Sequence, residues 1–235
     1  MFGFDPLTVS SLLVLAGTKI TCPAHPPTKI NVLPRTEKVK YDSSQTLQEI
    51  QQYSMDTVDP YGFHGTTVTQ GFMKGKIQLE HKIKIGESKN KEYGFSCIWY
   101  NDITVKIHID PTIVIASELY KNQCMRKAIL GHELKHVRVD REIVNKYAKV
   151  IGKKLLKELK SRGFSAGPMN GYEVKAVSNK MQHVVAQILD LEYKKLELER
   201  QELQRAVDNR EEYERVDDQC PGFEKKKMKL YSKLK

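Results

Sequence analysis

The sequence predicts an α+β fold, in which a small antiparallel sheet is followed by a buried helix that pairs with a second long helix. Apolar residues alternate with polar ones over residues 38–117, as they do in half-buried strands. From residue 117 onward they recur at spacings of three and four, as on one face of a helix. The 235 residues suffice for one domain, and a hydrophobic content of 40% indicates a packed core.

The first half of the chain is predicted to be extended. Four prolines within residues 21–34 exclude a regular helix there, because proline fixes its own φ and supplies no backbone N–H. Strand patterns follow over residues 66–72, 76–85, 93–100, 103–109 and 112–116. We expect residues 103–109 to form an edge strand that could hold an extended peptide by strand addition.

Two long helices are predicted in the second half. The first runs from Ser117 to a stop at Gly163, and it is apolar over so wide an arc that it should be buried. Its main buried face consists of Met125, Ile129, His132, His136, Val139, Ile143, Tyr147 and Val150. The second helix follows a loop over residues 161–171, and its apolar stripe should pack against the first helix. That stripe consists of Val174, Val177, Met181, Val184, Ile188 and Leu191, followed by Leu196, Leu198 and Leu203.

A single domain is predicted over residues 21–220, β-rich at 21–117 and helical at 118–220. Residues 1–20 hold an apolar run with the length of an export signal, although no Lys or Arg precedes it. If that run is a signal, the protein is periplasmic or secreted. If it is a buried N-terminal segment, the protein is cytoplasmic. Residues 221–235 form a basic tail, which we expect to be solvated.

The chain has four cysteines, Cys22, Cys97, Cys124 and Cys220, and no C-x-x-C pair that would indicate a zinc ribbon. In an oxidising compartment they could form two disulfides, for which three pairings exist. We expect Cys97 to pair with Cys124, because these two residues flank the same extended segment.

The charge balance favours anionic partners. There are 39 Lys and Arg residues against 29 Asp and Glu residues, which gives a formal net charge of +10. Such an excess favours association with an anionic cell surface or membrane surface. No glycine-rich phosphate loop, helix-turn-helix pattern or aromatic-interleaved basic strand indicates nucleic acid specifically.

The sequence H-E-x-x-H occurs at residues 132–136, on the first predicted helix. His132 and His136 lie one helical turn apart on the same face, a rise of about 6 Å, which suits two imidazole ligands of Zn²⁺. Two uncoordinated imidazoles on a buried face would be costly unless they were hydrogen-bonded. Glu133 can reach a water activated by the ion and accept its proton. We therefore predict a zinc site with His132 and His136 as ligands and Glu133 as the catalytic base.

A catalytic zinc site needs a third protein ligand. A metzincin would have histidine at position 142, where this chain has Glu142, so that class is disfavoured. Asp140 rises about 12 Å from His132, too far to share its metal, and we expect it to accept the spare ring N–H of His136.

The second helix is the expected source of that ligand. If the two helices are antiparallel about the loop at 161–171, the level of His136 is reached near position 195. Glu192 lies on the apolar side near that level, and Asp208 is the other candidate if the helix bends or its register is offset. The sequence does not decide between them. Tyr193 and Tyr213 are candidates for stabilising the oxyanion.

These motifs carry a resemblance to a known group. The run Cys97-Ile98-Trp99-Tyr100, the strand and turn at 111–118, Cys124 and the H-E-x-x-H helix resemble uncharacterised exported bacterial proteins described as zinc-dependent proteases. Residues 208–213, followed by Cys220, are similar to the C-terminal pattern of that group. The likeness covers roughly residues 97–220. It implies a zincin-like fold, an HExxH metallopeptidase activity and a location outside the cytoplasm.

The predicted function is therefore zinc-dependent hydrolysis of peptide bonds in a polypeptide substrate. His132, His136 and a carboxylate would hold the zinc ion, and Glu133 would move the proton of the attacking water to the leaving amine. The alternative is a basic helical protein that binds metal or uses the histidines structurally, without catalysis, and docks on an anionic surface.

Overall fold

A computed structural model describes residues 14–15, 18–19, 21–53 and 68–234. It is 51% helical and 27% strand, with small sheets, so the α+β class is confirmed. The described residues cluster into two compact units. The first unit draws on Met1–Pro34, Leu79–Ile107 and Lys146–Lys195, and the second on Arg35–Gln78, His108–Asn145 and Leu196–Lys235.

The elements have the following bounds. The strands are β1 (Val14–Leu15), β2 (Thr18–Lys19), β3 (Lys29–Thr36), β4 (Lys40–Asp42), β5 (Gly71–Lys74), β6 (Gln78–Asn90), β7 (Phe95–Ile109), β8 (Thr112–Ile115) and β9 (Ser165–Asn170). The helices are α1 (Leu47–Ile50), α2 (Ser117–Tyr120), α3 (Gln123–Arg162), α4 (Val174–Val207), α5 (Arg210–Asp218) and α6 (Glu224–Tyr231). A 3₁₀ turn, Pro221–Phe223, precedes α6.

The described strands form three small sheets instead of one. β1 pairs with β2, β7 lies between β3 and β6 and also pairs with β9, and the third sheet has the order β4-β8-β5. β5 is antiparallel to β8, but β4 is parallel to it. The expected purely antiparallel arrangement is thus wrong for this pair. β4 and β8 are far apart in sequence, so no hairpin fixes their relative direction.

Strand β7 replaces two predicted strands. No glycine or proline interrupts the chain at residues 101–102, and the backbone stays extended through them. Ile103, Val105 and Ile107 are fully buried and alternate with more exposed residues, as the period of two predicts. Because β7 lies between β3 and β6, the prediction of an edge strand at 103–109 is wrong. Among the described strands, β5 pairs with β8 alone.

The predicted loop at 161–171 contains strand β9, which pairs antiparallel with β7. Gly167 in this strand has φ +121°, and a Cβ there would lie 2.8 Å from the Ser96 carbonyl oxygen and 3.2 Å from Cys22 Sγ. Only glycine fits such a backbone conformation and such a close approach. Gly163, with φ +96°, ends α3 as predicted, and its N–H donates to the Leu159 carbonyl.

The two disulfides are Cys22–Cys97 and Cys124–Cys220. The expected Cys97–Cys124 pairing is wrong. A disulfide needs Cα atoms within about 7 Å, and the observed pairs have 5.8 and 5.9 Å. The extended chain from Cys97 to Ile109 covers about 40 Å, so two cysteines that flank it in sequence are not brought together by it. Two disulfides are typical of a protein that folds in an oxidising compartment.

The long helices bury the faces that their periodicity predicts, with local differences. In α3 the buried apolar residues include Met125, Ile129, Val137, Ile143, Val144, Ile151, Leu155 and Leu159. In α4, Met181, Val185, Ile188 and Leu196 are buried, but Leu191, Leu198 and Leu203 are exposed. Glu192 takes the buried place expected for Leu191.

The second unit has its own apolar core. It contains residues of α1, β5, β8, α2, the first part of α3, α5 and the 3₁₀ turn, among them Ile50, Phe72, Val114, Leu119, Met125, Ile129, Val216 and Phe223. The C-terminal tail contributes to it as well. Phe223 is buried, and Leu230, Tyr231 and Leu234 pack against the cluster, so the tail at 221–235 is not simply solvated as expected.

The predicted signal segment, residues 7–16, lies outside the described residues apart from Val14–Leu15 in β1. No helix in the described part of the chain combines the length and apolarity that a membrane crossing requires.

Candidate metal centre

The two histidines of the H-E-x-x-H motif lie side by side on α3, inside the second unit. His132 is 7% exposed and His136 is 8% exposed. Their Nε2 atoms are 3.2 Å apart. The helical repeat explains this proximity, because residues four apart stack on one face. The local part of the predicted site is therefore present.

Asp208 completes a group of three. It occupies the break between α4, which ends at Val207, and α5, which Asn209 caps by accepting the N–H of Glu212. This break turns the Asp208 carboxylate toward α3. Its Oδ1 lies 3.3 Å from His132 Nε2 and 3.1 Å from His136 Nε2. Within the described ranges, these three residues form the one cluster of His, Cys, Asp or Glu side chains close enough to hold a metal ion.

Glu192, the other candidate third ligand, is not part of this group. Its Oε1 accepts a hydrogen bond from Lys195 Nζ at 2.7 Å, within the first unit. On the same helix it precedes Gln204 by twelve residues, a rise of about 18 Å. Of the two candidates, the structure brings Asp208 to the histidines.

The register of the two helices explains why the expected level near position 195 is too early. Asp140 contacts Arg200, His136 contacts Gln204, and His132 contacts Asp208. The two segments therefore run in opposite directions: a contact four residues earlier in α3 is made by a residue four positions later in α4 or just after it. Helix α3 continues to Arg162 and α4 starts only at Val174, so the midpoint of their connection lies later in the chain than that of the predicted loop, and the facing residues come later in α4.

His132 is held from its outer side by Glu212. The Nδ1 atom of His132 lies 3.3 Å from Glu212 Oε1. Arg215 Nη2 donates to the same oxygen at 2.6 Å, and Lys135 donates to the other carboxylate oxygen. The hydrogen bond from Arg215, with those from Lys135 and His132, lowers the pKa of Glu212 to about 2. Glu212 is therefore ionised and can only accept the proton of His132 Nδ1.

His136 is held from its outer side by Gln204, not by Asp140. Gln204 Oε1 faces His136 Nδ1, while Gln204 Nε2 donates to Asp140 Oδ1 at 2.7 Å. Asp140 is fully buried and accepts two bonds from the Arg200 guanidinium, at 2.7 and 3.1 Å. The expected direct bond from His136 to Asp140 is thus replaced by one through Gln204, because the carboxylate lies a full turn away along α3.

Glu133 is 4% exposed, and the charges of all three potential ligands act on its carboxyl group. Burial raises the pKa of Glu133, and the negative charge of Asp208 adds to this, while the charges of His132 and His136 oppose it. The backbone N–H of Met73, in strand β5, donates to its carboxylate. Glu133 is therefore adjacent both to the histidine pair and to the strand that pairs with β8 alone.

The site is electrostatically prepared for a positive charge. Burial lowers the pKa of His136, but the hydrogen bond to Asp208 and the charges of Glu133 and Asp208 outweigh it and raise that pKa to about 9. Burial raises the pKa of Asp208, but hydrogen bonds from His132 and His136 prevail and lower it to about 2. A field that favours an extra proton on a histidine also favours a metal cation at the same place.

Three residues of the site were missed by the sequence interpretation: Gln204, Glu212 and Arg200. One signal could have found part of this. Asn209 followed three residues later by Glu212 is a helix-start signature, and it indicates that α4 ends just before Asp208. Of the two tyrosines considered as oxyanion donors, Tyr213 has its ring centroid 5.8 Å from that of His132. Tyr193 belongs to the first unit.

No protein-family model, curated protein or solved structure matches the chain. The three donor atoms of His132, His136 and Asp208 could hold a metal ion, with Glu133 beside them. This arrangement is chemically suited to metal-assisted attack by water.

Proposed function

We propose that this protein is a zinc-dependent metallopeptidase of the zincin-like HExxH class. One observation carries the proposal. His132 Nε2, His136 Nε2 and Asp208 Oδ1 form a buried triangle with edges of 3.1 to 3.3 Å. Nitrogen and oxygen ligands at 2.0–2.1 Å from a tetrahedral zinc ion are about 3.3 Å apart. The triangle has the size of one face of that tetrahedron and leaves the fourth vertex for water.

Hydrogen-bond requirements also favour a cation at the centre of the triangle. The outer partners of the histidines, Glu212 Oε1 and Gln204 Oε1, accept a proton from each Nδ1. A neutral imidazole has one N–H, so both Nε2 atoms then carry lone pairs directed at each other and at a carboxylate. Without a metal, one ring would have to be protonated at both nitrogens to donate to Asp208, and the lone pair of the other Nε2 would still face the carboxylate; protonating both rings would put two charges on Nε2 atoms 3.2 Å apart. Two buried imidazolium ions at that distance repel strongly.

The donor set supports zinc over hard cations. Two imidazole nitrogens and one carboxylate oxygen are typical ligands of catalytic zinc, whereas Ca²⁺ and Mg²⁺ prefer oxygen ligands throughout. The outer hydrogen bonds from both Nδ1 atoms match the way zinc-binding histidines are oriented in proteins.

The chain's own residues supply the remaining steps. A bound zinc ion would lower the pKa of a water at its open position and polarise a peptide carbonyl. Glu133 accepts the proton of that water as the water oxygen bonds to the carbonyl carbon. Glu133 then delivers the same proton to the amine nitrogen as the C–N bond breaks. Strand β5, whose Met73 N–H faces Glu133, could align an extended substrate by strand addition.

The setting agrees with a protein that works outside the cytoplasm. Both disulfides require an oxidising environment to persist. The net charge of +10 would favour association with an anionic cell surface or membrane surface, and the enzyme would encounter its polypeptide substrates there.

The test compares two glutamates of the same helix. Glu133→Gln should keep one zinc per chain and lower the rate of cleavage of an unstructured polypeptide by about 100- to 10,000-fold, because it removes the proton carrier. Glu142→Gln, the same change at an exposed position of α3, should leave both unchanged. Zinc is measured by atomic absorption and cleavage by the release of amino groups.

Two results would overturn the proposal. One is native protein without bound zinc after purification in zinc-containing buffer. The other is a Glu133→Gln variant that cleaves as fast as the native chain. Stoichiometric zinc with no cleavage by the native protein would support the alternative of a metal-binding protein without catalysis.

A further inference from the structure

We propose that Gln204 is a positioning residue of the metal centre. Its side-chain amide holds His136 in the tautomer that keeps a proton on Nδ1 and leaves the lone pair of Nε2 for the metal. The inference rests on the metal-binding part of the proposed function and is independent of peptide hydrolysis.

The orientation of the Gln204 amide follows from its neighbours. Gln204 Nε2 lies 2.7 Å from Asp140 Oδ1 and 3.2 Å from the His136 carbonyl oxygen. Both of these oxygens can only accept hydrogen bonds, so the NH₂ end of the amide must face them. The amide oxygen is thereby turned toward His136 Nδ1.

The amide oxygen then determines the protonation of the ring. An amide oxygen cannot donate, so the proton of this contact belongs to His136 Nδ1. A neutral imidazole carries no second proton, and Nε2, 3.1 Å from Asp208 Oδ1, is left as a ligand. If the amide were turned over, its NH₂ group would face Nδ1 and would favour the opposite tautomer, which cannot bind metal through Nε2.

The two possible orientations of the Gln204 amide give the buried Asp140–Arg200 ion pair a role. Glu212 can turn either carboxylate oxygen toward His132, and both accept a hydrogen bond. The Gln204 amide has one accepting and one donating end, so only one of its two orientations suits His136. The fully buried Asp140 excludes the unsuitable orientation, because its carboxylate accepts a hydrogen bond from the amide NH₂ group. Arg200 in turn donates to both carboxylate oxygens of Asp140. Arg200 is itself anchored on the Gly75 carbonyl at 3.0 Å. A turn of the amide would leave this buried network partly unsatisfied, which is costly.

The experiment measures zinc affinity in two Gln204 variants, by competition with a chelator of known affinity. Gln204→Met keeps the length of the side chain and removes the acceptor, and we expect the zinc Kd to rise about 10- to 100-fold. Gln204→Glu keeps an acceptor at Nδ1 but loses both donated bonds and faces Asp140, and its Kd should stay within about threefold of native. Gln182→Met, the same change on an exposed position of α4, is the matched control and should not alter Kd.

A merely structural role predicts the opposite order. If Gln204 only stabilised the fold, Gln204→Glu would do more damage than Gln204→Met, because it places two carboxylates together. Two-bond ¹H–¹⁵N spectra of the zinc-loaded protein, labelled at histidine nitrogens, give a second readout. The native protein should show a slowly exchanging Nδ1 proton on His136, which Gln204→Met should lose.

Each outcome bears on the proposal. Equal zinc Kd for Gln204→Met and native protein would overturn it, as would a His136 ring protonated at Nε2 and coordinated through Nδ1. If Gln204→Met does not fold, Gln204→Asn, which withdraws the amide by one methylene, takes its place with the same expected loss. Native protein that binds no zinc overturns both proposals, whereas a zinc-loaded protein without peptidase activity overturns only the proposed function.

Discussion

Helix α3 has two halves that bury different side chains with the same period. The half in the second unit buries four polar residues, His132, Glu133, His136 and Asp140, next to apolar ones. The half in the first unit buries Tyr147, Ala148, Ile151, Leu155 and Leu159 and no charged residue. Burial of a polar group costs free energy unless each donor and acceptor is paired. Each of the four polar residues has such a partner, so the polar half carries a paired polar cluster that could hold a metal ion, whereas the other half carries only a core face.

Removing one residue from each half gives the largest contrast. His136→Ala should reduce zinc affinity by more than about 100-fold, because loss of a ligand exceeds the effect of losing an outer partner. Leu155→Ala should leave zinc affinity unchanged and lower the free energy of unfolding by about 2–5 kcal/mol, through the cavity it creates. Equilibrium dialysis and urea unfolding measure the two quantities. If His136→Ala bound zinc as tightly as the native chain, the polar half of α3 would not be the metal-binding half.

Each of the two units contains one disulfide, so the two disulfides can be compared in the same way. Removing Cys22–Cys97 or Cys124–Cys220, each as a double serine variant, should lower stability by about 2–5 kcal/mol. Their sequence separations of 75 and 96 differ too little to separate them by loop entropy. Helix α5 carries Glu212, and Cys220 lies two residues after the end of that helix. Of the two disulfides, only Cys124–Cys220 joins this segment to the start of α3.

We therefore expect zinc affinity to fall about tenfold in the Cys124→Ser, Cys220→Ser variant, and to stay native in the Cys22→Ser, Cys97→Ser variant. Chelator competition on both folded variants checks this. Equal zinc affinity in the two would show that α5 holds its position without the disulfide.

Helix caps give the smallest expected effect. Asn209→Ala removes the cap of α5 and should cost about 1 kcal/mol, with a zinc Kd raised severalfold because Asp208 and Glu212 flank the cap. Thr46→Ala removes the capping box of α1 in the same unit and should cost a similar amount with no change in Kd. Thermal unfolding with and without zinc measures both. A Kd change shared by the two variants would point to general loosening of the unit.

Local periodicity accounts for what could be predicted. The helical repeat alone places His132 and His136 together, and the glycine at 163 ends α3 where the backbone must turn left-handed. Alternation predicts the strands within 76–109 and an apolar run predicts the one at 112–116, but the pattern suggests a break at 101–102 that the structure does not have. The backbone stays extended there because Ile98, Tyr100, Ile103 and Val105 are buried on both sides of these residues.

Contacts between distant segments could not be predicted. The parallel pairing of β4 with β8, the disulfide partners and the packing of the basic tail depend on which surfaces meet, and no short-range pattern encodes this. The level of the third ligand also depends on how distant segments meet. Both helix bounds next to β9 lie later than predicted, and each residue of shift moves the facing position by about 1.5 Å along the helix.

The amino-acid pattern alone predicts a buried helix with two neighbouring histidines and a glutamate between them, because backbone hydrogen bonds set the geometry of the five residues 132–136. The tertiary structure decided which carboxylate joins them. The break between α4 and α5 and the register of α4 against α3 bring Asp208, not Glu192, to the histidines. The same packing places Gln204 and Glu212 on their outer sides. Those choices depend on side chains separated by about seventy residues, whose approach is governed by the burial of whole elements.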